Sequence, residues 1–300
     1  MTRHIVLLLG GWSAEREVSL VSGAAVSNAL IEGGYMVTSI DVQRDIGAIL
    51  TKLHPKPDVV FNALHGRYGE DGCIQGLLNI LEIPYTHSGV LASSLSMDKP
   101  VAKSIMAAAG IKVAEHKIVT HEELLTSDVM APPFVVKPFN QGSSVGVHIV
   151  KENEKFKPAE EEWTFDGRVM IERFIPGREL TVAVMGNRAL AVTEIKTGHR
   201  FYDYGAKYSI GGSQHMVPAD IPQNVCDEAL RIALLAHQSL GCRGVSRADI
   251  RYDGKDLYML EVNTQPGMTP TSLVPEQAAY LNISFNELVI WLVENATFDE

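Results

Sequence analysis

Short apolar runs alternate with helical patterns in the first third of the chain. Four runs predict strands, because each is short, aliphatic and close to glycine or proline. They are residues 5–9, 35–42, 58–64 and 83–86. Apolar positions recur at helical spacing between them, over residues 17–31 and 74–81. Alternating strands and helices indicate an α/β fold class with a parallel sheet covered on both faces.

The rest of the chain predicts strands that pair across turns. A Gly/Ser loop separates residues 134–138 from 147–150, Gly186-Asn187 joins 179–185 to 189–196, and Asp253-Gly254 joins 245–252 to 257–262. A further strand is predicted at 169–174, and helices at 99–109 and 224–240. The spacing of Ser284 and Glu287 predicts a capping box that begins a last helix.

Changes in this pattern predict three domains, over residues 1–95, 96–180 and 181–300. Residues 198–214 are rich in Gly, Tyr and Ser and show no periodicity. A structureless stretch of that length within a compact domain usually has a function. Its aromatic residues and Lys207 are suited to a lid that closes over a substrate, although a surface loop anchored by its aromatic residues is the alternative.

Composition and charge narrow the class of protein. The 300 residues include 26 basic and 36 acidic side chains, a formal net charge of −10, whereas nucleic-acid-binding surfaces are usually basic. No apolar run approaches the roughly 18 residues of a membrane helix. The three cysteines, Cys73, Cys226 and Cys242, lack metal-like spacing. We therefore expect a cytoplasmic protein that binds neither nucleic acid nor membrane.

The segment from Lys137 to Val147 is the strongest local signal for chemistry. A lysine ends a strand, and the small residues that follow allow several backbone N–H groups to approach an anion. The segment lacks Walker-A spacing, and a plain hairpin turn would also use glycine and serine. Both a phosphate cradle and a turn remain open from this segment alone.

Two i, i+2 pairs on predicted strands suggest a metal site. Arg247 and Asp249 share one face of the first strand, and Glu261 and Asn263 share one face of the second. If the strands pair, two carboxylates and an amide converge, and such hard oxygen ligands suit Mg²⁺. A solvated face of an antiparallel hairpin is the alternative.

Three loops offer further polar groups. Gly267 follows the second of these strands and could present its N–H to an oxyanion, or could belong to a simple Pro-Gly turn. Glu15 lies at the start of the first helix, where it could bind an ammonium group or only contribute acidic charge to the first helical turn. His65 follows the third strand, at the sheet edge where ligands of parallel sheets bind.

Taken together, these segments resemble the D-alanine–D-alanine ligase family of the ATP-grasp superfamily. Four motifs occur in the family's order: Gly-Gly-x-Ser-Ala-Glu-Arg-Glu-Val-Ser, His-Gly-x-x-Gly-Glu-Asp-Gly, Gly-Ser-Ser-Val-Gly-Val and Glu-Val-Asn-Thr-x-Pro-Gly-Met-Thr. The resemblance runs from Gly10 to about Ala278. It implies a three-domain ATP-grasp architecture whose N-terminal, pre-ATP-grasp domain contains the parallel sheet. It also implies a homodimer and ATP-dependent ligation of two D-alanines for peptidoglycan synthesis.

The resemblance implies a role for each matched residue. Glu15 would bind the ammonium of the first D-alanine near His65, and a chain through Ser143 to Tyr208 would tie the lid to the site. Arg247 and the Gly267 N–H would stabilise an oxyanion. Ser272 and Leu273 would meet the second D-alanine. The implied ATP contacts are Lys99, Lys137, Ser144, Glu172, Phe174, Ile175, Glu179 and Lys207. Asp249, Glu261 and Asn263 would hold two Mg²⁺ ions, or Mn²⁺.

Alternatives to this function remain at this point. A dehydrogenase is supported only by the glycine turn after the first strand and leaves the Lys137 loop without a role. A catalytically silent nucleotide-binding protein and another ATP-grasp carboxylate–amine ligase are also possible. A D-alanine–D-lactate ligase is disfavoured, because depsipeptide-forming relatives typically lack the lid tyrosine found here as Tyr208. Gly205 stands where many relatives have glutamate, which is expected to change lid flexibility.

Overall fold

The computed structural model describes residues 2–126, 128–140, 146–152, 167–197 and 213–299. The first sheet contains β1 (His4–Gly10), β2 (Met36–Val42) and β3 (Val59–Asn62). β1 lies in the centre and is parallel to both neighbours. Ile5 to Leu8 are fully buried, as expected for a continuous apolar run in a parallel sheet covered on both faces. The predicted parallel sheet is confirmed.

Helices α1 (Arg16–Glu32) and α2 (Ile46–Lys52) follow the first two strands, and α3 (Cys73–Ile80) follows the third. The predicted strand at 83–86 is wrong. Tyr85 makes one parallel bridge to Val60 and one antiparallel bridge to Thr297. This short segment is therefore held between β3 and the end of the chain, and it does not extend into a ladder.

Two consecutive helices, α4 (Val90–Met97) and α5 (Lys99–Ala108), follow this segment. α4 was not predicted, and residue 95, the predicted domain boundary, lies within it. α5 begins where expected. The side chain of Asp98 accepts a hydrogen bond from the Val101 N–H at 3.1 Å, and Pro100 occupies the first turn, where it needs no donor.

The second sheet is antiparallel and lies in the middle of the chain. β4 (His116–Thr120) is followed by α6 (His121–Thr126), β5 (Phe134–Lys137), β6 (His148–Val150) and β7 (Arg168–Arg173). The strand order is β4-β7-β5-β6. β5 and β6 pair as predicted across the Gly/Ser loop. Ser143 and Ser144 of that loop lie outside the described residues.

The third sheet has the order β10-β9-β8-β11-β12, and all neighbours are antiparallel. Its strands are β8 (Arg178–Met185), β9 (Arg188–Thr197), β10 (Ser213–Met216), β11 (Val245–Tyr252) and β12 (Leu257–Asn263). Helix α7 (Gln223–Ser239) packs on this sheet with fully buried alanines at helical spacing, Ala229, Ala233 and Ala236. Gly205, Lys207 and Tyr208 of the predicted lid lie outside the described residues.

The chain ends in α8 (Leu273–Tyr280) and α9 (Phe285–Glu294). The Ser284 capping box is confirmed, since its hydroxyl accepts from the Glu287 N–H and the Glu287 carboxylate accepts from the Ser284 N–H. α9 packs against α1, and its buried Leu288 and Leu292 share a core with Ile5 and Leu7 of β1. The last helix thus completes the core of the first sheet. In the part of the chain that is described, no helix is long and apolar enough to span a bilayer.

Candidate active site

One cavity of about 100 Å³ collects loops from the beginning and the end of the chain. Nine of the residues predicted for catalysis or for binding substrate, nucleotide or metal line it. They are Glu15, His65, Lys99, Arg247, Glu261, Asn263, Gly267, Ser272 and Leu273. Asp249 is not among the residues that line this cavity. The structure therefore brings together side chains that are up to 258 positions apart in sequence, from Glu15 to Leu273.

The loop before α1 and the loop after β3 meet at Glu15. The Ser13 hydroxyl donates to the His65 carbonyl at 2.7 Å and accepts from the Glu15 N–H at 3.2 Å. Glu15 is the N-cap residue of α1, but its side chain makes no capping hydrogen bond. Gly66 has a φ of +71°, and a Cβ at this position would lie 2.8 Å from a Glu15 carboxylate oxygen. Glycine at this position thus lets the backbone approach the carboxylate.

Strands β11 and β12 place the predicted metal ligands opposite each other. Asp249 pairs with Glu261, and Arg247 pairs with Asn263. The Arg247 guanidinium donates to both oxygens of Asp249, at 2.9 and 2.8 Å, and the Lys99 ammonium lies 3.2 Å from Glu261. Among the described residues, no group of three His, Cys, Asp or Glu side chains could hold a metal ion. The two carboxylates together with the Asn263 amide nevertheless supply the hard oxygen donors that Mg²⁺ prefers.

The loop after β12 is fastened to the first sheet by an amide pair that the sequence analysis missed. Asn62, fully buried at the end of β3, donates to Gln265 Oε1 at 2.8 Å, and the Gln265 amide donates to the Leu64 carbonyl. The Met268 N–H donates to the Ser22 hydroxyl at 3.2 Å. The sequence signal that could have indicated this contact is the polar Asn62 at the end of an otherwise apolar strand.

The other end of this loop positions Ser272. Ser272 is the N-cap residue of α8, yet its hydroxyl makes no capping bond and accepts from the Thr269 N–H at 3.0 Å. A Cβ on Gly267 would lie 3.0 Å from that hydroxyl oxygen. The first turn of α8 and Gly267 therefore lie side by side along the cavity wall.

A second cavity, of about 340 Å³, lies between the second and third sheets. Five residues predicted to contact a nucleotide line it: Lys137, Glu172, Phe174, Ile175 and Glu179. Lys99, the sixth predicted contact within the described residues, lines the first cavity instead. The segment from Phe174 to Glu179 thus supplies an apolar wall followed by a carboxylate.

Arg251, which the sequence analysis missed, braces this segment. Its guanidinium donates to the Ile175 carbonyl at 3.1 Å, to the Gly177 carbonyl at 2.9 Å and to the Glu179 carboxylate at 3.2 Å. Gly177 has a φ of +103°, and a Cβ there would clash with the Tyr252 carbonyl. Arg251 continues the alternation of Arg247 and Asp249 on β11, which was the signal for it.

Buried charges mark the floor of the second cavity. The Lys137 ammonium lies 3.1 Å from one Glu172 oxygen, and the Lys103 ammonium lies 2.6 Å from the other. Burial tends to raise the pKa of Glu172, but the two ammonium groups outweigh it and hold this pKa below its usual range. Burial lowers the pKa of Lys103, although Glu172 opposes that effect. Glu172 is therefore a carboxylate at neutral pH.

Two family models match the chain. One, described as the D-ala D-ala ligase C-terminus, matches residues 105–294, and one described as the D-ala D-ala ligase N-terminus matches residues 47–88. The chain belongs to the D-alanine–D-alanine ligase family. It is 58% identical to a D-alanine–D-alanine ligase of Rhodospirillum rubrum and 55% identical to that of Paramagnetospirillum magneticum, and each alignment covers 100% of both proteins.

Solved structures of this family share the fold. A D-alanine–D-alanine ligase from Bacillus anthracis superimposes with a TM-score of 0.84 at 31% identity, covering 98% of this chain and 97% of that one. The same enzyme complexed with ATP gives 0.81 at 30% identity, covering 98% and 96%. The VanG D-Ala:D-Ser ligase of Enterococcus faecalis gives 0.83 at 28% identity, covering 98% and 99%. The ATP-grasp fold expected from the sequence is confirmed.

Proposed function

We propose that this chain joins two D-alanines into D-alanyl-D-alanine at the expense of ATP, for peptidoglycan precursor synthesis. The observation that carries the proposal is the distribution of charge in the first cavity. A buried carboxylate, Glu15, lies in the same cavity as Arg247 and the first turn of α8. The Glu15 carboxylate complements an ammonium group, and the N-terminus of α8 complements a carboxylate. The cavity thus offers partners for both charged groups of an amino acid.

Glu15 holds the ammonium of the first D-alanine, near His65, and so directs its carboxylate towards the nucleotide. That carboxylate attacks the γ-phosphoryl group of ATP, which gives D-alanyl phosphate and ADP. Ser272 and the adjacent N–H group of Leu273 bind the carboxylate of the second D-alanine. Its amine then attacks the acyl carbon and phosphate leaves. Arg247 and the Gly267 N–H stabilise the negative charge that develops on the acyl oxygen.

ATP occupies the second cavity in this proposal. Glu172 accepts from the exocyclic amine of adenine, Phe174 and Ile175 line the base pocket, and Glu179, braced by Arg251, accepts from the ribose hydroxyls. Lys99 and Lys137 contact the phosphates. Ser143, Ser144, Lys207 and Tyr208, outside the described residues, retain the roles implied by the family: Ser143 and Tyr208 link the lid to Glu15, and Ser144 and Lys207 bind the nucleotide.

Asp249, Glu261 and Asn263 would hold two Mg²⁺ ions, or Mn²⁺. Such ions neutralise phosphate charge and polarise the transferred phosphoryl group. Arg247 lies 2.8 Å from Asp249 and Lys99 lies 3.2 Å from Glu261, and a bound cation would replace these partners. The family also supports a homodimer and a cytoplasmic location, where ATP is available.

The test is phosphate release from Mg-ATP in the presence of D-alanine, with the product identified by mass. D-alanine-dependent release with dipeptide formed supports the proposal, and L-alanine should give no release. Glu15→Gln should raise the KM for the first D-alanine and spare the KM for ATP. Phosphate release with D-serine or D-lactate as second substrate that equals the release with D-alanine would contradict the proposed specificity for D-alanine. ATP binding without turnover would indicate a silent relative.

A matched variant tests the metal ligands. Glu261→Gln keeps the shape of the side chain and removes its charge, so turnover should fall by orders of magnitude while the thermal midpoint changes little. Lys112→Met, which breaks an exposed ion pair with Asp256, is the control. Unchanged turnover of the Glu261→Gln variant at limiting Mg²⁺ would contradict the metal assignment.

A further inference from the structure

Helix α5 carries two lysines one turn apart. Lys99 and Lys103 share a face because residues four positions apart on a helix are neighbours. The Lys99 ammonium lies 3.2 Å from Glu261, in the first cavity, and the Lys103 ammonium lies 2.6 Å from Glu172. Lys103 is fully buried, with 0% of its side chain exposed. The mechanism above gives Lys99 a role and gives Lys103 none.

Lys103 lies behind Glu172, on the side away from the nucleotide cavity. Glu172 and Lys137 line that cavity, whereas Lys103 does not. The two carboxylate oxygens are divided between the lysines, with Oε1 at 3.1 Å from Lys137 and Oε2 at 2.6 Å from Lys103. A carboxylate with an ammonium on each oxygen cannot rotate without losing one of them. Each oxygen has two acceptor sites, so Oε1 retains one for a further donor.

Packing alone does not explain a lysine at this position. A buried ammonium is expensive to desolvate, and apolar side chains of similar volume often replace buried ionic groups without loss of stability. Met106, one turn further along the same helix, is also fully buried. A methionine would therefore fill the space of Lys103 at a lower cost in desolvation.

We propose that Lys103 is a positioning residue for adenine recognition, which acts by fixing the Glu172 carboxylate. The inference rests on the proposed function, in which the second cavity binds ATP. Lys103 itself touches neither substrate nor nucleotide. Its effect reaches the base through Glu172.

The experiment compares ATP with ITP, whose base has a carbonyl in place of the amine that Glu172 reads. In Lys103→Met, the ratio of kcat/KM for ATP to that for ITP should fall about tenfold or more, since the site rejects the analogue by a positioned hydrogen bond. The loss should lie in the KM for ATP. The KM for D-alanine at saturating nucleotide should stay within about twofold of the wild-type value, because the lost contact with the base does not affect the D-alanine site.

Two further variants separate positioning from general destabilisation. Glu172→Gln alone should lower the same ratio, and adding Lys103→Met to it should have no further effect, because the lysine acts through the carboxylate. Lys112→Met is the control for loss of a lysine–carboxylate pair and should leave the ratio unchanged. Should Lys103→Met fail to fold, Lys103→Gln replaces it. Because glutamine keeps an N–H donor, its ATP-to-ITP ratio of kcat/KM should lie below that of the wild type but above that of a variant without a donor.

The outcomes are distinguishable. A wild-type protein without D-alanine-dependent phosphate release would overturn the proposed function itself. A Glu172→Gln variant with an unchanged ratio would overturn the assignment of Glu172 to the base, and the inference with it. A lowered ratio in Glu172→Gln together with an unchanged ratio in Lys103→Met would overturn the inference alone.

Discussion

Replacing Gly66 by alanine should damage substrate binding more than it damages the fold. Gly66 has a φ of +71°, and its Cβ would lie 2.8 Å from Glu15 Oε2 and 3.0 Å from Ser13 Cβ. The left-handed backbone conformation costs an alanine about 1–2 kcal/mol. Relief of the close contact requires movement of the Glu15 carboxylate. Loss of a hydrogen bond to a charged group costs about 1.5–3 kcal/mol, which corresponds to a rise of about 10- to 100-fold in the KM for the first D-alanine.

Steady-state phosphate release over a range of D-alanine concentrations measures that KM, and thermal unfolding measures the strain. Gly34→Ala is the matched control, because Gly34 has a φ of +83° and no atom within 4 Å of a Cβ. It should lose about 1 kcal/mol of stability and keep its KM. Equal KM values for the two variants would refute the reasoning, since the backbone strain is common to both and the contact with Glu15 is not.

Three further predictions follow from single contacts. Gln265→Ala removes one of the two acceptors of the buried Asn62 amide, which keeps only the Gly69 carbonyl, so urea unfolding should show a loss of about 1–3 kcal/mol; a loss below the error of the measurement would contradict it. Arg251→Met removes the guanidinium that contacts Glu179, so titration with ATP should show about tenfold weaker binding, with D-alanine binding unaltered. Burial and the charge of a nearby histidine lower the pKa of His87 to about 3. Because the unfolded chain takes up a proton on His87 below about pH 6.5 and the folded chain does not, this residue should contribute a fall in stability of ~1.4 kcal/mol per pH unit between pH 6 and pH 4. His87→Asn should show a shallower fall in urea unfolding over this range, and an identical pH dependence would exclude His87 as its source.

The sequence allowed much of the fold to be predicted where burial follows a short-range pattern. The apolar run at Ile5 predicted a buried parallel strand, and β1 is that strand. The i, i+2 alternation predicted that Asp249 and Glu261 converge, and they are cross-strand partners. A continuous apolar run contains the required information in the first case, and the two-residue alternation of a strand contains it in the second.

Other features depend on contacts between distant segments. Lys103 follows Lys99 on a helix that was predicted correctly, but only its ion pair with β7 in the structure shows that this lysine is buried against Glu172. Gln265 lies in a loop whose partner, Asn62, is 203 positions away. The strand predicted at 83–86 was wrong because its apolar residues are buried in the core of the first sheet while Tyr85 makes only single bridges, to Val60 and Thr297.

The packing of α9 on α1 has a consequence for how the protein is made. Leu288 and Leu292 cover the same core as Ile5 and Leu7, although nearly the whole chain separates them. During synthesis at about 5–20 residues per second, the first sheet therefore waits roughly 12–46 s for the helix that covers it. Its apolar face is open to chaperones and to other nascent chains for that time. A fragment that ends before α9 is accordingly expected to aggregate, even though it contains both cavities.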